Sequence, residues 1–120
     1  LGHVPMEDLP RWYNACDVFV LANREIGGDT EGFGMVFLEA AACGKAAIAG
    51  RAGGTGSAVL DGETGLRVDA STGAELVDAL ARLLDDPPLL ESMGQAGLAR
   101  VRQSLSWQAV AERTRNCLRA

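Results

Sequence analysis

Residues 18–49 decide the fold, and they read VFVLANREIGGDTEGFGMVFLEAAACGKAAIA. The stretch opens with four apolar residues at positions 18–21, a run typical of a strand buried in a parallel sheet. A polar, glycine-containing loop follows, and residues 34–43 then carry the apolar pattern of a helix that Gly44 ends. Residues 46–49 form a second apolar run. This alternation predicts a strand, a loop, a helix and a second, parallel strand.

Shorter elements flank this central stretch. Before it, apolar residues at helical spacing predict a short helix that ends near Ala15. After it, residues 66–68 predict a third short strand, and residues 57–60 are expected to form a single helical turn. Two glycine-containing pairs at residues 61–65 indicate tight turns between them.

The last third of the chain is predicted to be helical. One amphipathic helix ends at the two acids and two prolines of residues 85–88. A second helix follows, and we expect Gly94 and Gly97 to loosen it because glycine is a poor helix former. Ser106 is a suitable N-cap for a third helix.

These elements indicate an α/β protein with a Rossmann-like parallel sheet and flanking helices. Three strands are visible, whereas a complete doubly wound sheet usually has more. We therefore expect the sheet to be incomplete at its N-terminus, with further strands before Leu1.

Composition limits the classes of function. The 120 residues have a net charge of −5, which argues against a dedicated nucleic-acid-binding protein, and no apolar run approaches the roughly 20 residues that cross a bilayer. Cys16, Cys43 and Cys117 are odd in number and widely spaced, so we interpret them as buried free thiols in a reducing cytoplasm. His3 is the single histidine, which argues against a histidine-based metal site, and it lies far in sequence from the acidic and glycine-rich segments, which argues against a Ser-His-Asp arrangement.

Basic residues concentrate towards the C-terminal end. From Arg100 onward the chain has five arginines and a single acid, Glu112. This distribution is typical of a solvated helix face, and it also allows docking onto another domain or an anionic surface.

Two carboxylates bracket the start of the central helix. Glu31 precedes the helix and Glu39 lies within it, on roughly the same side. Between them, Gly32 and Gly34 let the backbone approach a ligand closely. The helix N-terminus adds free N–H groups and the positive end of the helix dipole, which suit an anion such as phosphate. The pattern favours a site for a phosphate flanked by hydroxyl groups.

These residues also have simpler interpretations. Glu31 can merely stabilise the helix dipole, and the glycines can serve a turn. Glu39 lies in an apolar, largely covered helix, where an unpaired carboxylate is costly, so it needs partners or an open cleft. The GGTG run of residues 53–56 has no lysine and is not a Walker P-loop, which leaves it as a loop or a ligand cradle.

The run EGFGMVFLEA of residues 31–40 resembles the Glu-x7-Glu signature of retaining nucleotide-sugar glycosyltransferases with the GT-B fold, especially family 4. Other segments resemble this family in the same order along the chain, and the resemblance extends over essentially all of it. These segments are residues 1–5, 9–13, 15–21, 42–44, 53–54 and 61–66.

The resemblance implies that residues 1–120 are part of a C-terminal donor-binding domain whose N-terminal acceptor domain is absent. It implies transfer of a hexose from a nucleoside-diphosphate sugar, such as a UDP- or GDP-hexose, without a cofactor or an obligatory metal. By analogy, Glu31 is the catalytic residue beside the donor sugar, and Glu39 binds the ribose hydroxyls. The other implied donor-binding residues are Phe33, Gly34, Met35, Val36, Gly53 and Gly54.

Two features depart from the family pattern. Members commonly have an acid where this chain has Ser57, so the donor contact of that acid stays unassigned. The loop of residues 23–30 is longer than the usual link and resembles the bacterial lipid-mannosyltransferase branch.

Two alternative functions remain open at this point: a non-catalytic nucleotide-sugar-binding or interaction module, and a sugar epimerase of GT-B architecture. The expected partners are the nucleotide-sugar donor and the absent N-terminal domain, without nucleic acid. The sequence does not specify the sugar, the base or the acceptor, which can be a glycan, a lipid or a small molecule. The expected location is the cytoplasm, with peripheral attachment to the inner face of the membrane left open.

Overall fold

The three strands form one parallel sheet. The computed structural model describes residues 2–30 and 32–119. Its strands are β1 (Phe19–Leu21), β2 (Ala47–Gly50) and β3 (Gly65–Val68), and they lie side by side in that order. Both strand pairs are parallel, which confirms the Rossmann-like sheet predicted from the apolar runs.

The described residues also contain five α-helices. They are α1 (Leu9–Ala15), α2 (Met35–Ala42), α3 (Ala74–Leu84), α4 (Pro87–Arg100) and α5 (Trp107–Arg119). The 3-10 turn Met6–Asp8 precedes α1, the 3-10 turn Gly53–Ser57 follows β2, and the π-helical segment Val101–Leu105 joins α4 to α5. The helices predicted from apolar spacing and end signals are confirmed.

Two hydrophobic cores lie on opposite faces of the sheet. They share β2, because successive side chains of a strand point to opposite faces. The α3/α4 core consists of Ala46, Ile48, Leu66, Val68, Ala79, Leu83 and Met93. The α2 core consists of Phe37, Leu38, Ala47, Ala49, Ala58 and Val59.

Local signals explain where the last two α-helices begin. Asp86 is the N-cap of α4, and its Oδ1 accepts a hydrogen bond of 3.0 Å from the N–H of Leu89. Two prolines follow Asp86 at helix positions that need no N–H donor. Ser106 precedes α5, and its Oγ accepts from the N–H of Ala109 at 3.2 Å, which confirms the predicted cap.

The prediction that Gly94 and Gly97 loosen α4 is wrong. Both glycines are buried within a continuous helix of 14 residues. A Cβ on Gly94 would lie 2.2 Å from the carbonyl oxygen of Gly44, and one on Gly97 would lie 3.2 Å from the Cβ of Ala41. The glycines therefore let α4 pack closely against the C-terminal end of α2 and the residues after it.

The helical turn predicted at residues 57–60 lies earlier in the chain, at Gly53–Ser57. Thr55, inside this turn, is 0% exposed, and its Oγ1 donates a hydrogen bond of 2.8 Å to the carbonyl of Gly50. A buried hydroxyl needs such a partner, and this bond holds the turn against the end of β2.

Arg100 secures the other end of the same turn. Its guanidinium donates to the carbonyls of Ser57 and Ala58 at 2.7 and 3.0 Å. Arg100 is half-buried, so the solvated-face interpretation is wrong at this position. The two hydrogen bonds of its guanidinium connect α4 to the C-terminal end of the Gly53–Ser57 turn.

The C-terminal helix α5 buries none of its side chains in the described structure. Trp107 is 82% exposed and Leu118 is 83% exposed. Cys117 is also exposed, so the prediction of a buried thiol is wrong there, while Cys16 and Cys43 are half-buried and all three are free. Among the described helices, none has the length and apolar character of a membrane span.

Candidate functional site

The candidate site lies where β1 and β2 end, at the carboxyl edge of the sheet. Loops at this edge are the usual ligand-binding segments of α/β folds. Asn23, in the loop after β1, ties that loop to the one after β2. Its Nδ2 donates to the carbonyl of Ala52 at 2.8 Å, and its Oδ1 accepts from the N–H of Gly50 at 3.0 Å.

The last residue of β2 has no room for a side chain. A Cβ on Gly50 would lie 1.7 Å from the carbonyl oxygen of Asn23. The loops after β1 and β2 are therefore in direct backbone contact, in addition to the hydrogen bonds of the Asn23 side chain. Asn23 was not predicted as a site residue, although an amide two residues after a strand was a signal for a loop-organising residue.

The two glycine segments singled out in the sequence are in direct contact. A Cβ on Gly54 would lie 2.1 Å from the carbonyl oxygen of Gly32. The Gly53–Ser57 turn therefore packs backbone against backbone with the residues that lead into α2. Sequence spacing alone could not show this contact, because 21 residues, which include α2 and β2, lie between Gly32 and Gly54.

The start of α2 has no side-chain cap in the described structure. Gly34 is its N-cap residue, with φ 78° and ψ 61° in the left-handed region that favours glycine. Its carbonyl accepts from the N–H of Phe37 at 3.0 Å. The first N–H groups of an α-helix have no partner within the helix, so this end can donate hydrogen bonds to an anion.

Glu39 lies just over one turn into α2 and is half-buried. Its Oε2 accepts a hydrogen bond of 2.7 Å from the hydroxyl of Tyr13 on α1. It also lines two grooves, one of about 310 Å³ between α1 and α2 and one of about 470 Å³ between α2 and the start of α5. Among residues 2–30 and 32–119, the carboxylate thus has one hydrogen-bond partner, and it remains accessible from both grooves.

Tyr13 was missed as a site residue, since its spacing with Leu9 and Trp12 indicated only an apolar helix face. Burial raises the pKa of its phenol far above the usual value, and the hydrogen bond and negative charge of Glu39 add to this effect. The hydroxyl is therefore a hydrogen-bond donor at neutral pH. Burial also raises the pKa of Cys43, at the other end of α2.

Glu31, the residue predicted to be catalytic, lies outside the described residues, so its position relative to Glu39 stays a prediction. The other predicted site residues border the same edge of the sheet. Phe33, Gly34, Met35 and Val36 form the entry to α2, and Gly53 and Gly54 begin the Gly53–Ser57 turn. Within residues 2–30 and 32–119, no three His, Cys, Asp or Glu side chains converge as metal ligands.

Comparison with known proteins gives a family match over most of the chain. The family model described as "Glycosyl transferases group 1" matches residues 1–100. The GDP-mannose-dependent monoacylated α-(1-6)-phosphatidylinositol monomannoside mannosyltransferase of Corynebacterium glutamicum is 41% identical, over 100% of this chain and 32% of that protein. The chain thus spans about a third of the length of this curated relative.

Solved structures show the same fold. Sucrose-phosphate synthase from Thermosynechococcus elongatus superposes with a TM-score of 0.84 at 33% identity, covering 99% of this chain and 29% of that one. The C-terminal domain of a glycosyl transferase group 1 family protein from Francisella tularensis superposes with a TM-score of 0.76 at 31% identity, covering 90% of this chain and 53% of that one.

Proposed function

The chain belongs to the Glycosyl transferases group 1 family, and we propose that it is the donor-binding part of an enzyme that moves a hexosyl group from a nucleoside-diphosphate sugar to a hydroxyl acceptor. One observation carries the proposal. Gly54 contacts the backbone of Gly32 beside the start of α2, which has no side-chain cap. The half-buried carboxylate of Glu39 lies about one turn further along the same helix. Such an arrangement can bind a phosphate and a hydroxyl-bearing group together.

The diphosphate binds at the N-terminus of α2 in this proposal. The N–H groups of Met35 and Val36 and the helix dipole would meet its negative charge. Negative charge builds up on the diphosphate as its bond to the sugar breaks. N–H groups fixed at this position therefore stabilise the transition state more than they stabilise the bound nucleotide-sugar. Gly34 and Gly53 allow the phosphate oxygens to come close to the backbone, and Gly54 contributes through its close contact with Gly32.

Glu39 binds the ribose hydroxyls, and Glu31 binds the sugar at the reacting carbon. A carboxylate accepts strong, charge-assisted hydrogen bonds from hydroxyl donors. Glu39 meets this requirement because it opens onto two grooves. The role of Glu31, like retention of the anomeric configuration and the lack of need for a metal, rests on the family resemblance.

Residues 1–120 are, in this proposal, part of a C-terminal domain that faces an N-terminal acceptor domain. The donor is proposed to be a GDP-hexose, since the Corynebacterium glutamicum relative at 41% identity is named as GDP-mannose-dependent. The N-terminal domain binds and selects the acceptor in this proposal. Attachment to the membrane surface would depend on that domain too.

Calorimetric titration of the full-length enzyme with GDP, UDP and ADP tests the donor assignment. We expect GDP to bind and Glu39→Ala to weaken it by about tenfold to a hundredfold, because hydrogen bonds to a charged group contribute about 1.5–3 kcal/mol. Glu91→Ala, an exposed carboxylate on α4, is the matched control and should leave the affinity unchanged. Unchanged affinity in Glu39→Ala would refute its role at the ribose.

Turnover separates an enzyme from a binding module. Glu31→Ala should lower transfer from GDP-mannose by about a hundredfold or more with an unchanged melting temperature, as for the loss of a group that acts on the transition state. Near-normal turnover would remove Glu31 from the mechanism. Nucleotide binding without any transfer by the unmodified enzyme would favour the non-catalytic module, and conversion of the free nucleotide-sugar would favour the epimerase.

A further inference from the structure

Tyr13 makes the one side-chain hydrogen bond that Glu39 receives within the described residues. The two residues are 26 positions apart, on α1 and α2, and the hydroxyl-to-Oε2 distance is 2.7 Å. A neutral donor on a carboxylate makes a short, strong bond of this kind. A phenol keeps its proton at neutral pH even at its ordinary pKa, and burial and Glu39 raise the pKa of Tyr13 further.

The ring of Tyr13 is fixed independently of that bond. Its centroid lies 5.5 Å from that of Phe19 on β1, and Phe19 in turn lies 5.7 Å from Phe37 on α2 in an edge-to-face arrangement. Such aromatic pairs favour one geometry. Phe37 is 1% exposed, so the row of three rings is anchored in the α2 core. The hydroxyl is thereby held at one place relative to α2.

Fixing one carboxylate oxygen leaves the other for a ligand. Within the described residues, Oε1 of Glu39 has no side-chain or backbone hydrogen-bond partner, whereas Oε2 is occupied by Tyr13. A free glutamate side chain samples several rotamers, and ordering it on binding costs conformational entropy. Tyr13 removes that cost in advance by selecting one orientation.

We propose that Tyr13 is a positioning residue that holds Glu39 with Oε1 turned towards the ligand hydroxyls. This inference rests on the proposed function, because it concerns the same site. It adds a residue from α1, outside the two glycine-containing segments, and it assigns separate roles to the two oxygens of Glu39.

The experiment compares GDP with 2′,3′-dideoxy-GDP, which lacks the ribose hydroxyls, in the full-length enzyme. Tyr13→Phe keeps the ring and removes only the hydroxyl. We expect this variant to bind GDP about tenfold more weakly and dideoxy-GDP with unchanged affinity. In a Glu39→Ala background, Tyr13→Phe should cause no further loss, since the two residues act as one unit. Trp12→Phe, on the same helix and 48% exposed, is the control and should change neither affinity.

Each other outcome has a distinct meaning. An equal loss for both nucleotides would make Tyr13 a purely structural residue and overturn the inference, as would additive losses in the double variant. Tighter GDP binding in Tyr13→Phe would also overturn the inference, because the hydroxyl would then compete with the ligand for Glu39. If the unmodified enzyme and Glu39→Ala bind GDP equally, the proposed function of Glu39 fails first, and the inference fails with it.

Discussion

The two faces of the sheet differ in the size of the side chains that β2 contributes to them. On the α3/α4 core side, β2 contributes Ile48, which packs with Leu83 and Met93, all at most 2% exposed. On the α2 core side, β2 contributes only Ala47 and Ala49. Large interlocking side chains stabilise the first face. Small residues let α2 lie close to the sheet on the second.

Polar contacts occur on both sides of the sheet, with different partners. The Tyr13–Glu39 hydrogen bond involves α2, and Asn23 joins the loops beside the start of that helix. On the α3 side, Glu75 forms an exposed ion pair of 2.8 Å with Arg51, and the α3/α4 core includes none of the predicted donor-binding residues. The difference indicates that stability and ligand binding are separable by face, and the variants below test that separation.

The largest effect is expected in the α3/α4 core. Leu83 is 0% exposed, and Leu83→Ala should lower the free energy of unfolding by about 2–5 kcal/mol through lost apolar contact and a residual cavity. Leu84→Ala is the matched control, because Leu84 is its neighbour on α3 and is 52% exposed. Urea unfolding measures both. Similar losses in the two variants, or weaker GDP binding by folded Leu83→Ala, would contradict the division between the faces.

The glycines at Gly54 and Gly94 form a natural pair for the next test. An added Cβ would meet a backbone carbonyl oxygen at 2.1 Å in the first case and at 2.2 Å in the second. We expect both alanine variants to lose about 1–3 kcal/mol of stability, because the backbone must shift. Gly54→Ala should also weaken GDP binding, since Gly54 packs on Gly32 at the entry to α2.

Calorimetry and urea unfolding on the two glycine variants together provide the comparison. Gly94 packs on Gly44, the second residue after the end of α2 and away from the candidate site, so Gly94→Ala should leave the affinity of the folded protein unchanged. Equal changes in affinity for the two variants would show that the site does not depend on the Gly54–Gly32 contact.

Local sequence signals were sufficient to predict the elements of the fold. The apolar runs around Val20 and Ile48 gave two strands, and Gly44, Asp86 and Ser106 marked helix ends correctly. These signals act through neighbouring residues, so they can be recognised without knowing the fold. The resemblance then named donor-binding residues, and the described ones lie along the carboxyl edge of the sheet, while their role in binding stays a prediction.

Contacts between distant segments could not be predicted in this way. Gly94 looks unfavourable in a helix until the carbonyl of Gly44 is placed against it. Tyr13 looks like an ordinary apolar helix position, because its polar partner is on another helix. Asn23 is likewise explained only by the loop that follows β2. In each case the reason for the residue is a contact that forms only when the chain has folded.

A smaller effect is expected at the start of α4. Asp86→Ala removes the acceptor for the N–H of Leu89 and should lower the free energy of unfolding by about 1 kcal/mol. Asp85→Ala is the control, because Asp85 ends α3 and caps nothing in α4. Both variants should bind GDP normally, being on the α3/α4 side. A loss in Asp85→Ala as large as that in Asp86→Ala would show that charge, and not the cap, is responsible.

The smallest effect concerns the reactivity of two thiols. Cys43 follows α2 and lines the groove beside Tyr13 and Glu39, whereas Cys117 is exposed on α5. Alkylation requires the thiolate, and burial raises the pKa of Cys43, so iodoacetamide should modify it more slowly than Cys117 at pH 8. As the pH is raised, the alkylation rate of Cys43 in the folded protein should level off at a higher pH than its rate in the urea-unfolded protein, because the pKa of the folded thiol is raised. Mass spectrometry of the modified peptides measures both rates. Equal rates would mean that the groove between α1 and α2 is as open to water as the surface of α5, and Glu39 would then lack the partly buried setting that distinguishes the α2 face.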